Sequence, residues 1–230
     1  MSNESITRIK VVYHALEELG KDVVFVGGAT VSLYADRPAG EARPTDDVDI
    51  LVELMHYNDY ALVEEKLRLK GFINDSESGV ICRYKVQGII VDVMPTGENA
   101  LGFTNNWYEP GYATAMTHIL DENNNIKIFQ PVYFLASKIE AFKDRGGGDG
   151  RWSSDFEDIV YVLNNRTTVW QEMQEAENKV KSYLKGEFRA FLDSDFIDEW
   201  ISAHLEFYEQ GRIRTILGEL NTFVNTPDPQ

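Results

Sequence analysis

Thr45-Asp46-Asp47-Val48-Asp49-Ile50 is the stretch whose residue types most directly suggest chemistry. In an extended strand, residues two apart face the same side. Asp47 and Asp49 then project together, and Val48 and Ile50 turn toward a core. Two carboxylates on one face repel unless a cation sits between them. Hard divalent ions such as Mg2+ or Mn2+ take oxygen ligands and share them with substrate phosphates. A solvated strand carries such a pair just as well, so the motif gains weight only from its company.

Two further features supply that company. Gly27-Gly28 follows the apolar run Val23-Val24-Phe25-Val26 and precedes a helical pattern. Glycines let a backbone approach a ligand closely, and the N-terminus of the next helix offers N–H groups to a phosphate; a plain turn is the alternative. Asp92 lies in Ile89-Ile90-Val91-Asp92-Val93-Met94, where a charge among β-branched residues needs a partner if it is buried. If this strand lies beside 48–53, Asp92 joins Asp47 and Asp49. If it is an antiparallel strand with a wet face, Asp92 simply meets water. Three carboxylates are a minimal cage for two divalent ions about 4 Å apart, the arrangement that clamps the attacking and leaving oxygens in phosphoryl displacement.

The elements that would position these groups follow from periodicity and breakers. A helix is expected over 5–19, closed by Gly20, then a buried strand over 22–26. Residues 29–35 read as helical, 36–46 as a polar loop, 48–53 as a strand and 58–70 as a helix ending at Gly71. Strand-like runs follow at 81–86, 89–94, 112–119 and 126–129. A helix starts after Pro131 and reaches about Arg145, Gly146–Gly150 is a break, and another helix begins near Ser154. Ser154 and Glu157 have capping-box spacing there. From about 167 the chain reads as helical and rich in Glu and Lys. This gives an α+β fold: a small mixed sheet flanked by helices over 1–130, then a helical region over 131–230.

Bulk properties narrow the partners. The 230-residue chain has a net charge of −16, which argues against a general nucleic-acid coat while leaving room for a local basic patch. Cys82, the sole cysteine, sits in an apolar run and reads as a buried structural thiol. MSNESITRIK has no apolar h-region and no run approaches a membrane span, so a cytoplasmic protein is expected. The four histidines show no metal-ligand spacing. Trp107, Tyr108 and Trp152 suit either packing or the lining of a pocket.

The strand, the Gly-Gly turn, the Asp47–Asp49 strand and the later Asp92, in that order, resemble the DNA polymerase β-type nucleotidyltransferase superfamily. Arg43-Pro44-Thr45-Asp46-Asp47-Val48-Asp49 resembles the R-x-[ST]-x-D-h-D signature of its AbiEii/AbiGii toxin-like branch. Lys138 to Arg145 resembles that branch's K-L-x-A-x-x-x-R helix, and Asp155-Phe156-Glu157-Asp158-Ile159 its K-D-x-x-D-L segment. The likeness spans roughly 22–165. It implies a nucleotidyltransferase core in which Asp47, Asp49 and Asp92 hold Mg2+ or Mn2+ and Asp92 activates the attacking hydroxyl. It implies nucleotide binding by Gly27, Gly28, Thr45, Lys138, Arg145, Asp155 and Asp158, with Lys138 on the phosphates. The donor that the resemblance implies is an NTP, and the implied acceptor is an RNA, such as a tRNA end, or a small molecule of the antibiotic type. An antitoxin partner is implied if the chain is a toxin, and a module that binds nucleotide without turnover is the third reading. Two departures stand out. Eighteen residues separate Gly28 from Asp47, longer than the usual spacing, and Ser154 replaces the Lys that commonly precedes the late Asp.

Overall fold

The computed structural model describes residues 4–53, 57–97 and 105–227. It is α+β. Among the described residues one mixed sheet of seven strands runs in the order β3-β4-β5-β2-β1-β7-β6. Its strands are β1 (Val23–Val26), β2 (Asp47–Val52), β3 (Ile73–Asn74), β4 (Arg83–Val86), β5 (Ile89–Pro95), β6 (Met116–Asp121) and β7 (Asn124–Ile128). By contact, the chain forms two compact units. One joins Met1–Leu33 to Arg43–Gln130, and the other joins Tyr34–Ala42 to Pro131–Gln230.

The first unit is built on the sheet. Helices α1 (Glu4–Leu16), α2 (Tyr57–Leu69) and α3 (Tyr108–Ala113) accompany it. β1 is buried along its whole length, which its unbroken run of apolar residues requires. It pairs antiparallel with β2 and parallel with β7, while β2 pairs parallel with β5. Helix α1 packs against β2 and β5 through Ile9, Val12 and Leu16, all fully buried. β4 and β5 form a hairpin whose two-residue turn is Gln87-Gly88, with φ of 49° and 83°. Positive φ at both central residues is the mark of a type I′ turn, whose twist matches the strands it joins.

The second unit is helical: α4 (Pro131–Arg145), α5 (Ser154–Asn165), α6 (Val169–Glu175), α7 (Asn178–Leu192), α8 (Ile197–Ser202) and α9 (Ile213–Asn225). Its core is aromatic. Phe142, Phe156, Phe191 and Trp200 meet with ring centroids 5.3 Å (Phe142–Phe156), 5.7 Å (Phe142–Phe191) and 5.4 Å (Phe156–Trp200) apart, within the range of favourable edge-on pairs. The Tyr34–Ala42 strap is tied into this unit. Arg37 donates to the Asn164 carbonyl (2.9 Å) and to Glu209 (2.7 Å), and Tyr161 donates to the Gly40 carbonyl. The long interval between Gly28 and Asp47 is therefore an excursion through the second unit.

Several local expectations change. The first helix ends at Leu16 and continues as a 3₁₀ turn over Glu17–Lys21, and the segment after Gly27 is 3₁₀ over Gly28–Tyr34. Residues 112 and 113 belong to α3, so the strand expected at 112–119 begins only at Met116. Pro110 explains part of this, because its ring suits the first turn of a short helix. The cap of α5 is Ser153, whose hydroxyl accepts from the Phe156 N–H at 3.3 Å. The capping box that Ser154 and Glu157 suggest does not form: the cap lies one residue earlier, and Phe156 at its third position cannot return the second bond of a box.

Candidate active site

The carboxylates are set by strand register. In the β2–β5 pairing Asp49 stands opposite Asp92 and Asp47 opposite Ile90. In β1–β2 it is Val26 that pairs with Asp49, so the Gly27 turn begins beside that carboxylate. Val48, Ile50, Val91 and Val93 are fully buried and fix which way the alternate residues face. One ligand oxygen from each of Asp47, Asp49 and Asp92 lies within 4.8 Å of the others. Among the described residues, no other group of three or more Asp, Glu, His or Cys side chains gathers in this way.

The Gly-Gly turn is shaped by side chains as much as by the backbone. Gly27 has φ of 71°, and a Cβ placed there would lie 1.8 Å from Asp49 Oδ2. Only glycine lets the Asp49 carboxylate rest on this turn. At Gly28 a Cβ would meet Arg43 Nη2 at 2.4 Å and the Thr45 methyl at 2.8 Å. Arg43 and Thr45 of the R-x-T-x-D-h-D stretch therefore pack over the turn, although fourteen residues separate Gly28 from Arg43. The Thr45 hydroxyl donates to the Asp47 carbonyl at 3.0 Å, which holds the entry to β2. Thr30 closes the turn from the other side, with its N–H and hydroxyl both on the Gly27 carbonyl.

Arg83 is the member of this site that motif reading misses. It stands directly opposite Asp92 in the β4–β5 pairing. Its Nε donates to Asp92 Oδ1 and its Nη2 to Asp92 Oδ2, both at 2.8 Å, and Nη2 lies 3.5 Å from Asp47 Oδ2. The hydrogen bonds to Asp92 raise the guanidinium pKa further above its ordinary value against the opposing effect of burial. Cys82, next in sequence, is buried; that burial, with the charge of Asp92 behind it, pushes its thiol up to about 11. Such a thiol stays protonated near neutrality and is no nucleophile.

In the second unit Lys138, Arg145, Asp155 and Asp158 meet in one ion-pair cluster. Lys138 Nζ bridges Asp155 Oδ1 (3.0 Å) and Asp158 Oδ2 (2.7 Å), with the lysine side chain only 6% exposed. Arg145 holds Asp155 through Nε (2.8 Å) and Nη2 (2.9 Å), and its side chain is 67% exposed. Burial opposes ionisation of Asp155, but the Arg145 hydrogen bonds and the Lys138 charge outweigh it, and its pKa falls below the usual carboxylate value. Two cations and two carboxylates make the cluster neutral, and here it ties α4 to the start of α5. Of the aromatic residues, Trp107 is buried, Tyr108 donates to Met94 Sδ at 3.6 Å, and Trp152 is largely exposed. His204 lies 2.7 Å from the Gly150 carbonyl through Nε2.

Three aspartates that converge from two neighbouring strands offer hard oxygen donors of the kind that Mg2+ and Mn2+ take. Asp49 is seated where no side chain beyond glycine fits beneath it, so its position is built rather than incidental. The donor set fits a divalent ion. Neither a scan against protein-family models nor a search of curated proteins gives a match for the chain.

Proposed function

We propose that the chain is a metal-dependent nucleotidyltransferase that moves an NMP from an NTP to an acceptor hydroxyl. The observation that carries this reading is the convergence of Asp47, Asp49 and Asp92 within 4.8 Å, beside a glycine turn shaped around Asp49. Asp47, Asp49 and Asp92 would hold the divalent ions, which stabilise the charge that builds on the attacking and leaving oxygens. In the transfer, the acceptor oxygen bonds to the α-phosphorus and the bond to the bridging oxygen breaks. Pyrophosphate leaves with that electron pair, and the acceptor's proton passes to the Asp92 carboxylate. Gly27 and Gly28 bring the backbone close to the triphosphate, and Arg43, over Gly28, adds a guanidinium whose fork suits phosphate oxygens.

The acceptor is an RNA end in this reading, with a small molecule as the alternative. A net charge of −16 favours a small cationic acceptor over a long polyanion, because little of such a surface can track a phosphate backbone. The resemblance to toxins favours RNA, an antitoxin partner and a cytoplasmic setting. Among the described residues no helix is long and apolar enough to cross a membrane.

The test supplies each of the four labelled NTPs with Mg2+ or Mn2+ and offers total tRNA and a panel of aminoglycosides. Label is expected on one acceptor class, and to be lost in Asp49→Ala and Asp92→Ala. Transfer that survives Asp49→Ala would sink the reading.

A further inference from the structure

We infer that Arg83 is a resident counter-cation of the aspartate triad, which holds Asp92 in the free protein and must let go of it as divalent cations load. This rests on reading Asp47, Asp49 and Asp92 as metal ligands. Both oxygens of Asp92 are engaged by one guanidinium, each at 2.8 Å, and the same Nη2 reaches toward Asp47 at 3.5 Å. A bidentate pair of this kind is among the stronger and more directional contacts a carboxylate makes. The Asp92 side chain is 12% exposed and that of Arg83 is 23%, so water screens the pair poorly.

The charge balance gives the contact its meaning. Three carboxylates within 4.8 Å are strongly repulsive without a cation. Arg83 brings their formal charge from −3 to −2, which lets the strands close around the cluster before any metal arrives. A divalent ion seeks the same Asp92 oxygens, and a fixed positive charge beside them opposes it. Arg83 has room to yield. Its strand, β4, lies between β5 and the short β3, and its side chain is the more exposed partner of the pair. The hairpin that presents it is set in register by the Gln87-Gly88 turn, so the pairing with Asp92 is a fixed feature of the fold. Arg83 then acts as a threshold: it stabilises the cluster without metal and weakens metal binding by the same interaction, as linkage between two ligands of one site demands.

The test titrates Mn2+ into the full chain by calorimetry and follows melting with and without Mn2+, for wild type, Arg83→Gln, Arg83→Lys and Asp92→Asn. Arg83→Gln is expected to melt below wild type without Mn2+, to bind Mn2+ about tenfold more tightly, and to gain more melting temperature from Mn2+ than wild type does. Arg83→Lys keeps the charge but loses the fork, and is expected to bind with intermediate affinity; it carries the test if the glutamine variant does not fold. Mn2+ affinity unchanged or weakened in the Arg83 variants, with binding still lost in Asp92→Asn, overturns the role of Arg83 and leaves the metal reading intact. No Mn2+ binding to wild type or to any variant overturns both.

Discussion

Asp155 shows how much a single buried charge does for the helical unit that holds it. It is a buried carboxylate between Lys138 and Arg145, and its pKa lies below the usual value. A carboxylate with a depressed folded-state pKa contributes stability that is fully present above its unfolded pKa of about 3.9. That contribution is lost as pH falls through the folded-state value. Wild type is therefore expected to exceed Asp155→Asn in unfolding free energy by a constant margin from pH 7 down to about 5. The margin should collapse as the titration continues into acid. Denaturant melts across that range decide it, and a margin that persists unchanged in acid would contradict the ion-pair account. At this scale the sequence was legible in part. The spacing of Asp47 and Asp49 predicts their common face, and the Lys138, Arg145, Asp155 and Asp158 quartet is visible as a set of charges. What the spacing cannot show is that Lys138 is sealed between two carboxylates, because that depends on how α4 and α5 pack.

At the scale of elements, the turn after β1 controls the site. Gly27→Ala has to adopt a φ of 71° with a Cβ 1.8 Å from Asp49 Oδ2. The left-handed backbone alone costs on the order of 1 kcal/mol or more for a residue with a Cβ, and the clash displaces the Asp49 carboxylate. The variant is expected to melt below wild type and to lose Mn2+ binding, while Gly79→Ala serves as its control. Gly79 also has positive φ but nothing within 4 Å of its Cβ position. Equal Mn2+ binding in Gly27→Ala and wild type would show that the turn does not seat Asp49. The β4–β5 hairpin illustrates how far register can be read from sequence. Once Gln87-Gly88 is recognised as a two-residue turn, Val86 pairs with Ile89 and counting back sets Arg83 opposite Asp92. The partner of the third aspartate was thus available from turn chemistry. The parallel pairing of β2 with β5 was not, because residues 53–88 separate the strands and only tertiary packing makes them neighbours. β3, two residues long, carries too little pattern to register at all.

The whole molecule joins a mixed sheet that carries the aspartates to a helical unit with an aromatic core. The α+β class follows from the alternation of strand and helix patterns up to Gln130 and the helical periodicity beyond it. The discontinuity at Tyr34–Ala42 does not, since a polar loop gives no sign of which unit it will join until Arg37 meets Asn164 and Glu209. The charge of −16 bears on the acceptor, whereas the reaction class rests on the triad. Nucleotidyl transfer has a signature that separates it from other uses of a metal-bound NTP: the α-phosphate moves and the γ-phosphate departs in pyrophosphate. The most direct measurement compares the same NTP labelled at the α or the γ position, with the acceptor that takes label. The account predicts acceptor labelling from the α position only, pyrophosphate release in equal amount, and loss of both in Asp92→Ala. Labelling from the γ position, or α-labelling that persists in Asp92→Ala, would contradict it.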